Sequence, residues 1–339
     1  MQLFELTRAL IDIESISGNE KPLGEFLCEY LRPLAESHGG RLERLPVEAD
    51  RFNVFAHWGT PDIVLSTHLD TVPPFIPSHE DDEFIWGRGA CDPKGIAAAM
   101  IHAIQGLLEQ GVRHLGLLLV AGEERNSIGA RCANGRPRGS RYLINGEPTG
   151  NKLAVATKGA WRVEVEARGR MAHSAYPELG ESAIDKLVEA LGRLRAIRWP
   201  TDPVLGECTC NVGTISGGRA PNVIPDQALA EVMIRLVGDS SGVRRQVLEA
   251  LGPRVTTREV LEVPPVRLGT LPGIETTVVK FTTDIPELTA WGQPFLIGPG
   301  DIAVAHTAEE RIPKAQLAAA VGLYQYIIRE LQKRDGQQD

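Results

Sequence analysis

Residues 62–70 read Asp-Ile-Val-Leu-Ser-Thr-His-Leu-Asp. An unbroken apolar run marks a strand covered on both faces, whereas alternation would mark a sheet with one wet face. The run ends at His68, and Asp70 follows two residues later. In extended backbone that spacing puts both side chains on one side. A carboxylate beside an imidazole can orient the ring and raise its basicity. Two further apolar runs end the same way. Residues 114–121, H-L-G-L-L-L-V-A, lead into Gly122-Glu123-Glu124, and residues 141–145, R-Y-L-I-N, lead into Glu147. Between the first two runs, residues 93–110 read as a helix with Pro93 in its first turn, where a missing N–H costs least. Strand, helix, strand with apolar strands predicts an α/β fold with a mainly parallel sheet flanked by helices. In such sheets the ligand site lies beyond the C-terminal strand ends, and the polar clusters fall there.

Upstream, residues 2–13 place Leu3, Leu6, Leu10 and Ile13 on one helical face, and residues 20–36 repeat the pattern. Downstream the character changes. Residues 160–168, A-W-R-V-E-V-E-A-R, alternate strictly, as do 208–215 and 226–236, while 181–197 and 240–251 read as helices. This is an α+β unit with one wet sheet face. After about residue 266 the α/β character returns, with a short strand at 295–297 entering Gly298-Pro299-Gly300 and a long amphipathic helix at 313–334. A chain of 339 residues exceeds what one core supports. The expected division is 1–157 with 267–339 as one domain and 158–266 inserted into it. The tail 336–339, G-Q-Q-D, is expected to fray.

The net charge of −8 and a sequence pI near 5.6 argue against binding to a phosphate backbone, so no nucleic-acid partner is expected. No stretch reaches about 18 uncharged apolar residues, which excludes a helical membrane span. The start M-Q-L-F-E-L-T-R carries Glu5 and no basic region followed by an apolar block, so it reads as an amphipathic helix and not as a signal peptide. Cys28, Cys91, Cys132, Cys208 and Cys210 are odd in number and lack a framework spacing, which suggests reduced thiols and a cytoplasmic protein. Cys208 and Cys210, one residue apart, fit strand alternation better than a zinc pair.

Each polar cluster has an ordinary reading when taken alone. His68 with Asp70 is a surface pair, and Asp92, in W-G-R-G-A-C-D-P-K-G at 86–95, is a helix N-cap. Glu123 and Glu124 are a solvated turn. Otherwise, one of these two acids can hold a cation while its neighbour faces a water as general base. Glu147 adds another strand-end carboxylate, and His306 follows the Gly-Pro-Gly turn with Glu309 and Glu310 behind it. Together these supply two imidazoles and three carboxylates for ligation. Two zinc ions sharing one bridging carboxylate need that inventory.

The segments S-T-H-L-D-T-V-P, W-G-R-G-A-C-D-P-K-G, A-G-E-E, G-E-P-T, A-H-S-A-Y-P-E-L-G-E-S-A-I, G-G-R-A-P-N-V-I-P-D and G-P-G-D-I-A-V-A-H-T-A-E-E occur in this order. In them the chain resembles the di-zinc amidohydrolases that include acetylornithine deacetylase, succinyl-diaminopimelate desuccinylase and glutamate-releasing carboxypeptidases, over about residues 3 to 333. The resemblance implies a zinc-exopeptidase-like catalytic domain with an inserted lid that also makes a homodimer. It implies two divalent metal ions, zinc foremost with cobalt or manganese as alternatives. His68, Asp92 and Glu147 would hold one ion, and Asp92, Glu124 and His306 the other, with Asp92 as the bridge. Glu123 would be the general base, and Asp70 would support His68. His173 would reach the active site of a second subunit and stabilise the oxyanion. Arg219 and Asn222 would approach the substrate carboxylate and the reacting carbonyl, Arg219 with a bidentate fork.

The implied activity is hydrolysis of the amide bond of a small N-acyl amino acid, as by acetylornithine deacetylase in arginine biosynthesis, or by a lysine- or citrulline-pathway counterpart. A dipeptidase or carboxypeptidase is the alternative. A non-catalytic metal-binding relative is a third reading, disfavoured because Glu123 and every ligand are present. Pro93 departs from the family, which commonly has Met or a polar residue after the bridging Asp. Proline lowers the cis penalty from about 3 kcal/mol to about 0.5–1 kcal/mol, so the Asp92–Pro93 bond is predicted to be cis. The chain is also short for the family, which implies trimmed loops where the acyl group is read.

Overall fold

The apolar runs become the centre of a six-stranded sheet. Strands Ile63–His68 and Leu115–Val120 are buried along their whole length, and Tyr142–Asn145 nearly so. These three run parallel, with Ile63 level with both Leu115 and Tyr142. Gln293–Leu296 adds a fourth parallel strand beside Tyr142–Asn145. All four therefore end at one edge of the sheet. A computed structural model of the protein describes residues 1–335; the tail expected to fray, 336–339, lies outside the described residues.

Two antiparallel strands, Arg51–Trp58 and Arg41–Glu48, complete the sheet beyond Leu115–Val120. The sequence reading did not anticipate them. Arg41–Glu48, R-L-E-R-L-P-V-E, is an edge strand, and its charges, Pro46 and a register shift between Pro46 and Glu48 suit an edge that must not pair further. The first two helices form as read, at Leu3–Ile11 and Lys21–Ser37, and the last at Lys314–Asp335. The helix predicted at 93–110 begins later, at Gly95, and runs to Glu109. It is apolar on most sides because most of it is buried, with Ile96, Met100, Ile104 and Leu107 in one cluster with Leu65, Ile144, Tyr324 and Ile327.

The chain divides into two compact units. The first comprises Met1–Val155, Leu268–Thr277 and Thr283–Asp339, and the second Ala156–Arg267 with Val278–Thr282. Taken by itself, the second unit is a four-stranded antiparallel sheet in the order Thr209–Gly217, Gln227–Leu236, Gly159–Arg168, Val255–Val263. Alternate residues Trp161, Val163, Val165 and Ala167 are buried, as are Ala228, Ala230, Val232 and Ile234. Helices Ala183–Arg195 and Ser240–Leu251 contribute Leu187, Leu191, Leu194, Val243 and Val247 to the buried residues of this unit. The opposite face keeps its charges, including the ion pair between Arg258 and Glu164. The strand Val255–Val263 escaped the sequence reading because it is an exposed edge with little apolar alternation. All five cysteines are free; Cys208 is buried and Cys210 partly so. Among the described residues no helix is long and apolar enough to cross a membrane.

Asn53 joins this sheet to the segment that follows Leu115–Val120. It is fully buried, its Nδ2 donates to the Gly129 carbonyl at 2.8 Å, and its Oδ1 accepts from the Ala121 N–H at 3.0 Å. Asn53→Ala would leave both backbone groups buried and unpaired. A loss of about 2–4 kcal/mol is expected from urea unfolding of the variant against the parent.

Candidate metal centre

Asp70 organises the strand ends. The Nδ1 of His68 lies 2.9 Å from the Asp70 carbonyl oxygen. A carbonyl only accepts, so Nδ1 carries a proton, and Nε2 is the ring atom that faces Asp92. Support for His68 therefore comes first from the Asp70 backbone; the carboxylate Oδ1 is farther from Nδ1, at 3.5 Å. That carboxylate is engaged elsewhere. Its Oδ1 accepts from the N–H groups of Gly122 (2.9 Å) and Glu123 (3.0 Å), and its Oδ2 from the Glu124 N–H (3.2 Å) and the Ser17 hydroxyl (2.6 Å).

In the turn it caps, Gly122 takes a left-handed conformation (φ +81°), and Glu123–Asn126 closes one helical turn. An anionic group accepting the free N–H groups at the start of that turn is favourable both as hydrogen bonding and as charge against the backbone dipoles. The two adjacent acids consequently diverge as helical neighbours do, not as strand neighbours do.

Asp92 does not cap the following helix, contrary to the ordinary reading. It sits in a tight turn, Ala90–Lys94, with extended backbone (φ −137°, ψ 93°), and the Asp92–Pro93 peptide is cis as expected. Its carboxylate is directed to two imidazoles. Oδ1 is 3.0 Å from His68 Nε2, and Oδ2 is 3.4 Å from His306 Nε2. His306 Nε2 also lies 2.8 Å from Glu124 Oε1. His306 occupies the left-handed region (φ +64°), an uncommon conformation for a non-glycine residue and one that concentrates at functional sites. One donor atom each from His68, Asp92 and Glu124 lies within 4.8 Å of the others. Glu147 is buried, and its Oε1 has no hydrogen-bond partner.

The electrostatics match this crowding. Burial pushes the Glu123 carboxyl well above the usual carboxylate range, and the acids around it add to the rise although His68 opposes it. Glu147 behaves the same way for the same reasons. Burial would raise Asp92 too, but the hydrogen bonds to His306 and His68 outweigh it and hold the group low. Burial disfavours a charged His68, yet Asp70 and Asp92 lift its pKa well above the ordinary value. Asp92 and Glu124 push His306 up to about 10. Carboxyls forced toward neutrality beside imidazoles forced toward charge define a site short of positive charge. The nitrogen and oxygen donors, and the orphaned Glu147 oxygen, fit divalent ions of the zinc, cobalt or manganese type.

Residues 155–252 match the family model described as "Peptidase dimerisation domain". A peptidase M20 domain-containing protein of Schizosaccharomyces pombe is 37% identical over 339 residues, covering 96% of this chain and 84% of the relative. A probable carboxypeptidase of Aspergillus niger is 37% identical over 369 residues, covering 95% and 88%. The solved structure of a tripeptidase from Staphylococcus aureus shares the fold at TM-score 0.82 and 20% identity, over 98% of each chain.

The chain belongs to the M20 peptidase family. It is a hydrolase of that metallopeptidase family, with a catalytic domain and an inserted dimerisation domain. Among these M20 relatives nothing singles out acetylornithine deacetylase, the member the sequence reading favoured; their names are those of peptidases and carboxypeptidases.

The second unit of this M20 chain contains the three other expected site residues. His173 is exposed, pairs in an isolated bridge with Val223, and accepts on Nδ1 from the Ala175 N–H at 3.1 Å. The Asn222 backbone carbonyl accepts from the Ser174 N–H at 3.0 Å, which ties the two segments together. Arg219 turns its fork to Asp226, with two contacts of 3.2 Å.

Sequence reasoning missed two residues of the first unit that belong with Asp70 and His68. Ser17, in S-I-S-G-N, reads as a turn residue but holds Asp70. Asp284, in T-T-D-I-P-E, follows no apolar run and offered no signal. It is 1% exposed, its Oδ1 has no hydrogen-bond partner, and burial pushes its carboxyl up to about 7. A carboxyl raised on folding contributes fully below its unfolded pKa, and that contribution is lost as pH rises through the folded value. Metal-free protein should therefore lose stability from this group between about pH 4 and 7, by on the order of a few kcal/mol. Asp284→Asn removes the titration. The variant is expected to gain on the parent in denaturant midpoint at pH 8 relative to pH 4; a constant difference across that range would contradict the assignment.

Proposed function

We propose that the protein is a two-metal peptidase that hydrolyses the amide bond next to the free carboxylate of a small peptide, as a carboxypeptidase or dipeptidase. The observation that carries the reading is Glu123, an acid raised by burial, adjacent in one helical turn to Glu124, whose carboxylate meets His306 while Asp92 joins His306 to His68. His68, Asp92 and Glu147 are assigned to one ion and Asp92, Glu124 and His306 to the other. Bound divalent ions would bring the pKa of a water toward about 7 and polarise the substrate carbonyl.

Glu123 takes the proton of the attacking water and returns it to the leaving amine; a pKa raised by burial suits a group that must do both. Asp70 keeps the Glu123 turn and His68 in register, so that base and ligand hold their spacing. His173 is assigned to the developing oxyanion in a second subunit's site, and Arg219 and Asn222 to the substrate carboxylate and carbonyl. A homodimer through the second unit is supported by its dimerisation-domain match and by exposed apolar side chains there, Ile184 and Val188 on one helix and Ile215 on the edge strand Thr209–Gly217.

The names of the relatives favour a peptide over the N-acyl amino acid first expected, although both present an amide beside a carboxylate. Amine release from dipeptides and tripeptides, set against N-acetyl-ornithine and other N-acyl amino acids, decides between them. Higher kcat/KM on the peptides is expected, and a preference for the acylated amino acids would return the assignment to the deacetylases. Glu123→Gln should retain its metal by elemental analysis while kcat falls roughly 10²–10⁴-fold. Near-normal turnover in that variant would remove Glu123 from the mechanism. Glu124→Ala should lose metal as well as activity.

A further inference from the structure

Glu310 is a buried acid that the mechanism leaves without a role. It is 1% exposed, and it lies four residues after His306. Its Oε2 accepts from Arg88 Nη1 at 2.5 Å. Its Oε1 accepts from the Gly89 N–H at 2.8 Å and from the Asp92 N–H at 3.3 Å. The Glu310 backbone carbonyl accepts from the Gly87 N–H at 3.0 Å. Every one of these donors belongs to the segment that presents Asp92, more than two hundred residues away in the chain.

The other side of the connection is equally tied. Between His306 and Glu310 the Thr307 hydroxyl donates to the Val304 carbonyl at 2.7 Å and accepts from the Glu309 N–H at 3.1 Å. The loop is thus held as a unit, and fixing Glu310 fixes the approach of His306. On the Asp92 side, Arg88 is anchored by its own N–H to the Ile76 carbonyl at 3.0 Å and by Nε to the Pro74 carbonyl at 3.3 Å.

We propose that Glu310, through its bonds to Arg88, Gly89 and Asp92, is a positioning residue that sets the spacing between Asp92 and His306 and so the affinity of the metal centre. A buried ion pair is a poor stabilising device, since desolvation offsets much of its attraction, and a well-packed apolar pair often serves stability as well. What an apolar pair cannot supply is an acceptor for the Gly89 and Asp92 N–H groups. Partners that hold metal ligands typically govern affinity by 10–100-fold, roughly the range expected here.

The inference rests on the two-metal reading, and the test separates the two. Zinc is titrated calorimetrically into metal-stripped, full-length protein, and cobalt(II) absorption reports the ligand geometry. The parent is expected to bind two ions; if it binds none, the two-metal reading falls and this inference with it. Arg88→Met with Glu310→Leu removes both charges and the acceptor. It should keep its circular dichroism, lose zinc affinity roughly 10–100-fold and show an altered cobalt spectrum. Arg88→Met with Glu310→Gln restores a neutral acceptor for the two N–H groups, and should recover most of the affinity. A folded Met/Leu variant that binds zinc within about threefold of the parent would overturn the proposal and leave the pair a purely structural one. If that variant does not fold, Glu310→Gln alone serves. Its amide N–H faces the Arg88 guanidinium, a loss of about tenfold is expected, and unchanged affinity overturns the proposal.

Discussion

Like charges drawn out of water repel strongly, and the strand ends of the first unit gather more acid than two imidazoles can balance. Glu123 and Glu147 are driven toward the neutral form, His68 and His306 toward the charged form, and Asp92 stays anionic between the two histidines. His68 Nε2 stands 3.0 Å from Asp92 Oδ1, a distance at which two lone pairs would repel, so a proton or a metal ion must lie between or beside them. The parallel sheet exists, in functional terms, to bring these groups to one edge. Adjacent parallel strands deliver their C-terminal ends to the same edge, and here the strands that do so are buried on both faces.

Two tethers turn a crowded edge into a defined one. Asp70 addresses His68 through its backbone and the Glu123–Asn126 turn through its carboxylate, so one residue relates His68 to Glu123. Asn53 secures the same turn from below, through Ala121 and Gly129. Both do so with backbone N–H and C=O groups that would otherwise be buried and unpaired, which makes the arrangement costly to distort.

The sheet was legible because its central strands are apolar without interruption and end in chemically unusual residues. His68, Asp92, Glu123, Glu124, Glu147 and His306 each stood at such an end, or after a turn that announced a loop. The edge strands Arg41–Glu48 and Val255–Val263 were not legible, since exposure removes the pattern that periodicity detects. Asp92 misled in part, because Asp before a helix is usually a cap, and here the helix starts three residues later. Asp284 was invisible for a different reason. Its burial follows from tertiary packing, and no local pattern distinguishes T-T-D-I-P from a surface turn. The roles given to His173, Arg219 and Asn222 came from the resemblance and not from their own spacing.

The ligand edge has little to say about which acyl group is cleaved, because water activation at an amide carbon is the same chemistry for a peptide and for an N-acyl amino acid. Selectivity has to come from groups that read the rest of the substrate. Arg219, proposed above for that task, already has a carboxylate partner. Its fork meets the Asp226 carboxylate at 3.2 Å on both arms, on an exposed surface where an ion pair contributes little. Trading one carboxylate for another of the same geometry would therefore cost little, while the planar fork still demands a carboxylate of the right orientation. A C-terminal peptide carboxylate and the carboxylate of an acylated amino acid both meet that demand. On that proposal Arg219 does not separate the two substrates, and the choice falls to groups that meet the far side of the scissile bond.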